Sequence, residues 1–121
     1  MTVARARCAL LLLLSAFAAG GCGSHKPSAQ ALANSALLGR APVYPGAAAP
    51  KTTPGDAFAA RDWTLPAGTR AETVIDWYVA RLQARGWKVA GKSFNTIRAR
   101  RGRLSLSVGV RARTLEIVAA T

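Results

Sequence analysis

The stretch Thr69–Gly86, TRAETVIDWYVARLQARG, combines helical periodicity with a start and a stop signal, and the rest of the chain is read outward from it. Ala71, Ile75, Tyr78 and Leu82 fall at i, i+4, i+7 and i+11, and Val74 widens the stripe, so one side of a helix is apolar. Trp77 lies beside that stripe, at its rim. Burying Val74, Ile75, Tyr78 and Leu82 against a sheet contributes on the order of 1.5 to 3 kcal/mol each. Thr69 and Glu72 have the T-x-x-E spacing of a capping box, in which each side chain satisfies a backbone N–H orphaned at the helix start. Gly86 supplies the stop, because it takes the left-handed conformation a helix end needs. Arg81 and Arg85 set positive charge against the negative end of the helix dipole.

After Gly86 the period changes from 3.6 to 2. Trp87 and Val89 alternate with Lys88, and Ile97 and Ala99 with Arg98 and Arg100. Leu104, Leu106, Val108 and Val110 alternate with Ser105, Ser107, Gly109 and Arg111, and Leu115, Ile117 and Ala119 with Glu116 and Val118. Gly91-Lys92, Arg101-Gly102 and Arg111 to Thr114 separate the runs as turns. Such short connections cannot make parallel crossovers, so the strands form an antiparallel meander with one covered and one wet face.

Upstream of the helix, Ala57 to Leu65 reads as a strand whose end demands burial of Trp63 and Leu65. Pro66-Ala67-Gly68 turns it into the helix. Ala47 to Gly55, with Pro50 and Pro54, reads as loop. Pro42-Val43-Tyr44-Pro45-Gly46 opens the folded part with an extended apolar pair and a turn. The expected fold is α+β: a two-layer sandwich with one helix packed on a mainly antiparallel sheet of about four to five strands, in the order β-α-β-β-β.

The N-terminus is of a different kind. Arg5 and Arg7 precede an apolar run, Cys8 to Ala19, and the small residues Ala19-Gly20-Gly21 precede Cys22. This is the layout of a secretory signal peptide, with an apolar run well short of the roughly 20 residues that span a bilayer. The small residues before Cys22 resemble the lipobox of bacterial lipoproteins, although Ala19 stands where that family usually has Leu. The resemblance implies cleavage before Cys22 and its acylation; the alternative is ordinary cleavage that leaves a free thiol. With Cys8 removed, Cys22 has no disulfide partner, which favours the lipid. The chain therefore divides into a signal peptide at 1–21, a lipidated cysteine and flexible tether at 22–40, and an α+β domain at 41–121. A helix at Ala29 to Leu38 is compatible with the composition but would have little to pack on. His25 falls in the tether and reads as an incidental polar residue.

The layout Tyr44-Pro45-Gly46-Ala47, then Asp76-Trp77-Tyr78 to Leu82, then Gly86-Trp87, resembles small bacterial envelope domains with a "YPGA" motif followed by a "WY...L...GW" helix. The resemblance implies a fold and an extracytoplasmic location, and it implies no chemistry.

Of 17 Lys and Arg, two lie in the leader, which leaves 15 against five carboxylates and a mature charge of +10. Such a charge favours anionic partners. Outside the leader the only histidine is His25 and the only cysteine Cys22, so histidine-assisted Ser or Cys catalysis lacks its parts. The carboxylates are Asp56, Asp62, Glu72, Asp76 and Glu116. Glu72 and Asp76 share one helix, where such a pair normally marks a solvated surface. No catalytic residue, cofactor site or metal site is expected.

What remains is basic. Lys88, Arg98, Arg100 and Arg111 are expected on the outward sheet face, with Arg101, Arg103 and Arg113 at adjoining hairpin ends, around a small polar centre of Ser105, Ser107 and Gly109. This is an anion-receptive surface in one reading and a solvated face whose arginines discourage strand aggregation in the other. The functional expectation is a lipid-anchored, extracytoplasmic, non-catalytic binding or scaffolding module, facing anionic lipid headgroups or another acidic envelope polymer. The alternative is a nucleic-acid-binding module using the same charge, which export and the lack of an aromatic row on the polar face disfavour.

Overall fold

The structure, a computed structural model, describes residues 26–121. The leader at 1–21, Cys22 and His25 lie outside them. Eight elements follow in order: α1 (Ala29–Arg40), β1 (Ala48–Thr53), β2 (Ala59–Thr64), α2 (Ala71–Ala84), β3 (Lys88–Lys92), β4 (Thr96–Arg101), β5 (Leu104–Arg111) and β6 (Thr114–Ala120). The strands form one antiparallel sheet in the order β1-β2-β6-β5-β4-β3.

The α2 helix presents Val74, Ile75, Tyr78 and Leu82 to the core, as the stripe requires. Its stop is a Schellman motif. Gly86, at φ +84°, lets its own N–H reach Gln83 O at 3.1 Å and the Trp87 N–H reach Leu82 O at 3.0 Å. Its start departs from expectation, because Thr69 does not cap. The cap position is Arg70, with no side-chain cap bond; Thr69 Oγ1 donates to Pro66 O at 2.7 Å, and Glu72 pairs with Arg70 at 3.8 Å. The turn at Pro66 to Gly68 thus uses the hydroxyl that the spacing assigned to the helix.

The meander follows the alternation, except that Gly91-Lys92, expected as a turn, lies inside β3 at a register shift, and the chain turns at Ser93 to Asn95, closed by the Ser93 N–H on Thr96 O at 2.8 Å. Ile97, Ala99, Leu106, Val108, Val110, Leu115, Ile117 and Ala119 are buried on the helix face, while their neighbours line an open face. β6 then pairs with β2, so the chain's first hairpin extends the sheet beyond the meander.

Two elements correct the sequence reading. The segment read as tether up to residue 40 contains α1, which packs on β2 and β6 and buries Ala31, Asn34, Leu37 and Leu38. Leu37 and Leu38 share one core with α2 and the sheet. The segment read as loop contains β1, an exposed edge strand paired with β2. Pro50 is tolerated there because an edge strand leaves one side unbonded. The register slips between Ala48 and Lys51, and Ala49 takes φ +53°. The described residues therefore form a six-stranded sheet and two helices in the order α-β-β-α-β-β-β-β.

Candidate functional site

The antiparallel register sets the open face out in rows across the strands. Lys88 pairs with Arg100, which pairs with Ser105; Arg98 pairs with Gly91 and Ser107. Lys88, Arg98 and Arg100 are exposed and adjacent, as expected. Among the described residues, none of the three has a carboxylate within salt-bridge distance. Like charges facing each other across a strand pair destabilise a sheet, so Lys88 opposite Arg100 is a local cost with no compensating partner. The β4–β5 turn brings Arg101 and Arg103 to the same end of the sheet.

Arg101 lies toward the helices rather than outward. Its guanidinium lies 5.0 Å from the centre of the Trp87 ring, and its Nη1 donates to Arg85 O at 3.0 Å. Arg85 Nη1 in turn donates to Arg40 O at 3.2 Å. Between them opens a cleft of about 220 Å³, with Arg40, Arg85 and Arg101 around Leu37, Trp87 and Leu106. Arg40 and Arg85 were missed as site residues, the first hidden in a presumed tether and the second assigned to the helix dipole. The signal for Arg85 was its place directly before the Gly86-Trp87 stop, which delivers it to the start of β3.

The remaining two candidates lie elsewhere. Arg111 pairs with Thr114 beside the β5–β6 turn, at the opposite end of the sheet. Arg113 is spent on structure, with its Nε donating to Leu65 O at 3.1 Å. Next to Arg111 the register sets Asp62 opposite Glu116, with Lys51 across from Asp62 on β1. Sequence reasoning had not joined these two carboxylates, because no motif links β2 to β6. They line a groove of about 390 Å³ with Arg111, and Asp62 Oδ1 is buried there without a hydrogen-bond partner. The outward face is therefore not uniformly basic. Its β4–β5 end is cationic and its β5–β6 end is mixed.

The carboxylates of the described residues are distributed in the same sense. Glu72 and Asp76 sit at the start of α2, where Asp76 accepts from Lys92 Nζ at 2.9 Å at the end of β3. Together with Asp62 and Glu116, they put four of the five carboxylates in the β5–β6 half. Arg40, Arg85, Lys88, Arg100, Arg101 and Arg103 gather at the other end, where the one carboxylate, Asp56, is engaged by the Ser28 hydroxyl at the start of α1. Guanidinium groups gathered in this way bind oxyanions, and phosphates above all, through paired N–H donors.

No family model, curated protein or solved structure matches the chain. No helix among the described residues is long and apolar enough to cross a membrane, and those residues hold no group of three or more metal-ligating His, Cys, Asp or Glu side chains.

Proposed function

We propose that this protein is a lipid-anchored envelope module, attached through Cys22, that binds anionic lipid surfaces with the cationic end of its sheet and performs no catalysis. The observation that carries the reading is the separation of charge just described: a cluster of Lys and Arg at one end of the fold, without ion-pair partners among the described residues and held there at a cost to strand pairing. Proteins keep such local conflicts where function requires them. The leader and the small residues before Cys22 supply the anchor in this reading, and a juxtamembrane basic cluster adds attraction on the order of 1 kcal/mol per charge to an anionic leaflet.

The competing use of the same charge is nucleic-acid binding. It lacks an aromatic row, because Trp63 and Trp87 are buried on the helix side and the exposed Phe58 and Phe94 stand singly in the β1–β2 and β3–β4 turns, at opposite ends of the sheet. Sedimentation of a chain starting at position 22 with Cys22→Ser, mixed with vesicles, tests the proposal. Binding should require anionic lipid and weaken as salt rises, since the Debye length shortens from about 10 Å at 0.1 M to about 3 Å at 1 M. Equal binding to neutral vesicles would contradict it, and salt-sensitive retention of single-stranded DNA without vesicle binding would favour the alternative.

A further inference from the structure

We infer that the cleft between the ends of the two helices receives a phosphate-bearing lipid headgroup, so that the domain meets the membrane end-on, through its β4–β5 end, rather than with the open sheet face. This rests on the lipid-anchored reading above and makes it specific. Three arginines from three elements line it: Arg40 from the last turn of α1, Arg85 from the residue after α2, and Arg101 from the end of β4. Among the described residues no carboxylate lines the cleft.

The guanidinium groups are also held in place. The chain of bonds from Arg101 to Arg85 O and from Arg85 to Arg40 O, with Arg101 stacked over Trp87, fixes two of the three before any ligand arrives. Each guanidinium has five N–H donors, so those bonds leave most of them free for phosphate oxygens. The helix ends offset only part of the positive charge, because each helix C-terminus carries about half a negative unit. The floor of Leu37, Trp87 and Leu106 is apolar. An anionic phosphate joined to an apolar stem is therefore a better match than a fully polar oxyanion.

The chain's own geometry points the same end at the membrane. Asn34, on α1, bonds to the β1–β2 turn and to Thr121, and the Ser28 hydroxyl bonds to Asp56, so the helix begins at the β4–β5 end. Five residues separate Cys22 from Ser28. At roughly 3.3–3.6 Å per residue they reach at most about 20 Å, which brings that end, and not the mixed-charge β5–β6 end, to a lipid-bound Cys22.

The test is amide hydrogen exchange on the full chain reconstituted by its own anchor into phosphatidylcholine vesicles, with or without an equal part of phosphatidylglycerol. Slower exchange at Arg85–Trp87 and Arg101–Arg103 in the anionic vesicles, reversed by salt, is expected. Arg40→Gln, whose side chain makes no hydrogen bond within the described residues, should weaken that protection about fivefold, and Arg111→Gln should leave it intact. Protection concentrated at Asn95 and Ala112 would overturn the end-on site while sparing the membrane reading. The absence of any lipid-dependent protection would overturn both. Equal protection in neutral vesicles on adding inorganic phosphate would show a free-phosphate site, contrary to the inference.

Discussion

Tyr78 has no exposed surface, and its hydroxyl accepts the Tyr44 N–H at 3.1 Å across the junction between α2 and the turn at Pro45-Gly46. Trp77 packs edge-on against both rings, at 5.5 Å from Tyr44 and 4.9 Å from Tyr78. Burial pushes the Tyr78 phenol up to about 12, with the Tyr44 bond pulling weakly the other way. An unfolded tyrosine titrates near 10, so the folded state prefers the protonated phenol. Its contribution is full below pH ~10 and is lost as pH climbs through the folded value. The unfolding free energy should fall by on the order of 2 to 3 kcal/mol between pH 10 and 12, and Tyr78→Phe should flatten that slope in urea titrations. An identical slope in the variant would mean that other groups set the alkaline limit.

At the scale of elements, α2 and the meander were legible because each is patterned at its own period, and a buried face leaves that pattern no freedom to drift. The two misread elements had no such pattern. β1 is exposed along its whole length and interrupted by Pro50, so nothing in its side chains marks it as a strand; pairing with β2 makes it one. α1 is short and alanine-rich; besides Leu37 and Leu38, which join the core, it is docked by a buried polar residue that no periodicity announces. Asn34, fully buried, donates to Gly55 O at 3.1 Å and Asp56 O at 3.0 Å, and accepts from Thr121 N at 2.9 Å. It thereby ties the helix to the β1–β2 turn and to the chain end. Gly55 admits no side chain in that turn, since a Cβ would stand 2.5 Å from Phe58 O. Asn34→Ala should lower stability by about 1 to 3 kcal/mol, because it strands buried backbone partners. Urea unfolding checks this, and an unchanged midpoint would make α1 a passenger. The site was half legible for the same reason. Lys88, Arg98 and Arg100 follow from strand parity, whereas Arg40 depends on docking α1, and the Asp62–Glu116 pair depends on the β2–β6 contact.

For the whole molecule, the proposed arrangement is a six-stranded sheet covered on one face by two helices, with its cationic end nearest the anchor and four of its five carboxylates at the far end. A charged end alone would give weak, salt-sensitive adhesion; joined to a lipid it acts at the high local concentration that a short tether imposes. Everything proposed about orientation and headgroup capture depends on Cys22 being the acylated first residue of the mature chain. The intact mass of the protein recovered from cell membranes measures that directly. The account predicts a chain that starts at Cys22 and carries the added mass of a diacylglyceryl group. A soluble chain that retains Met1 to Gly21, or one cut at another residue and free of lipid, would contradict it.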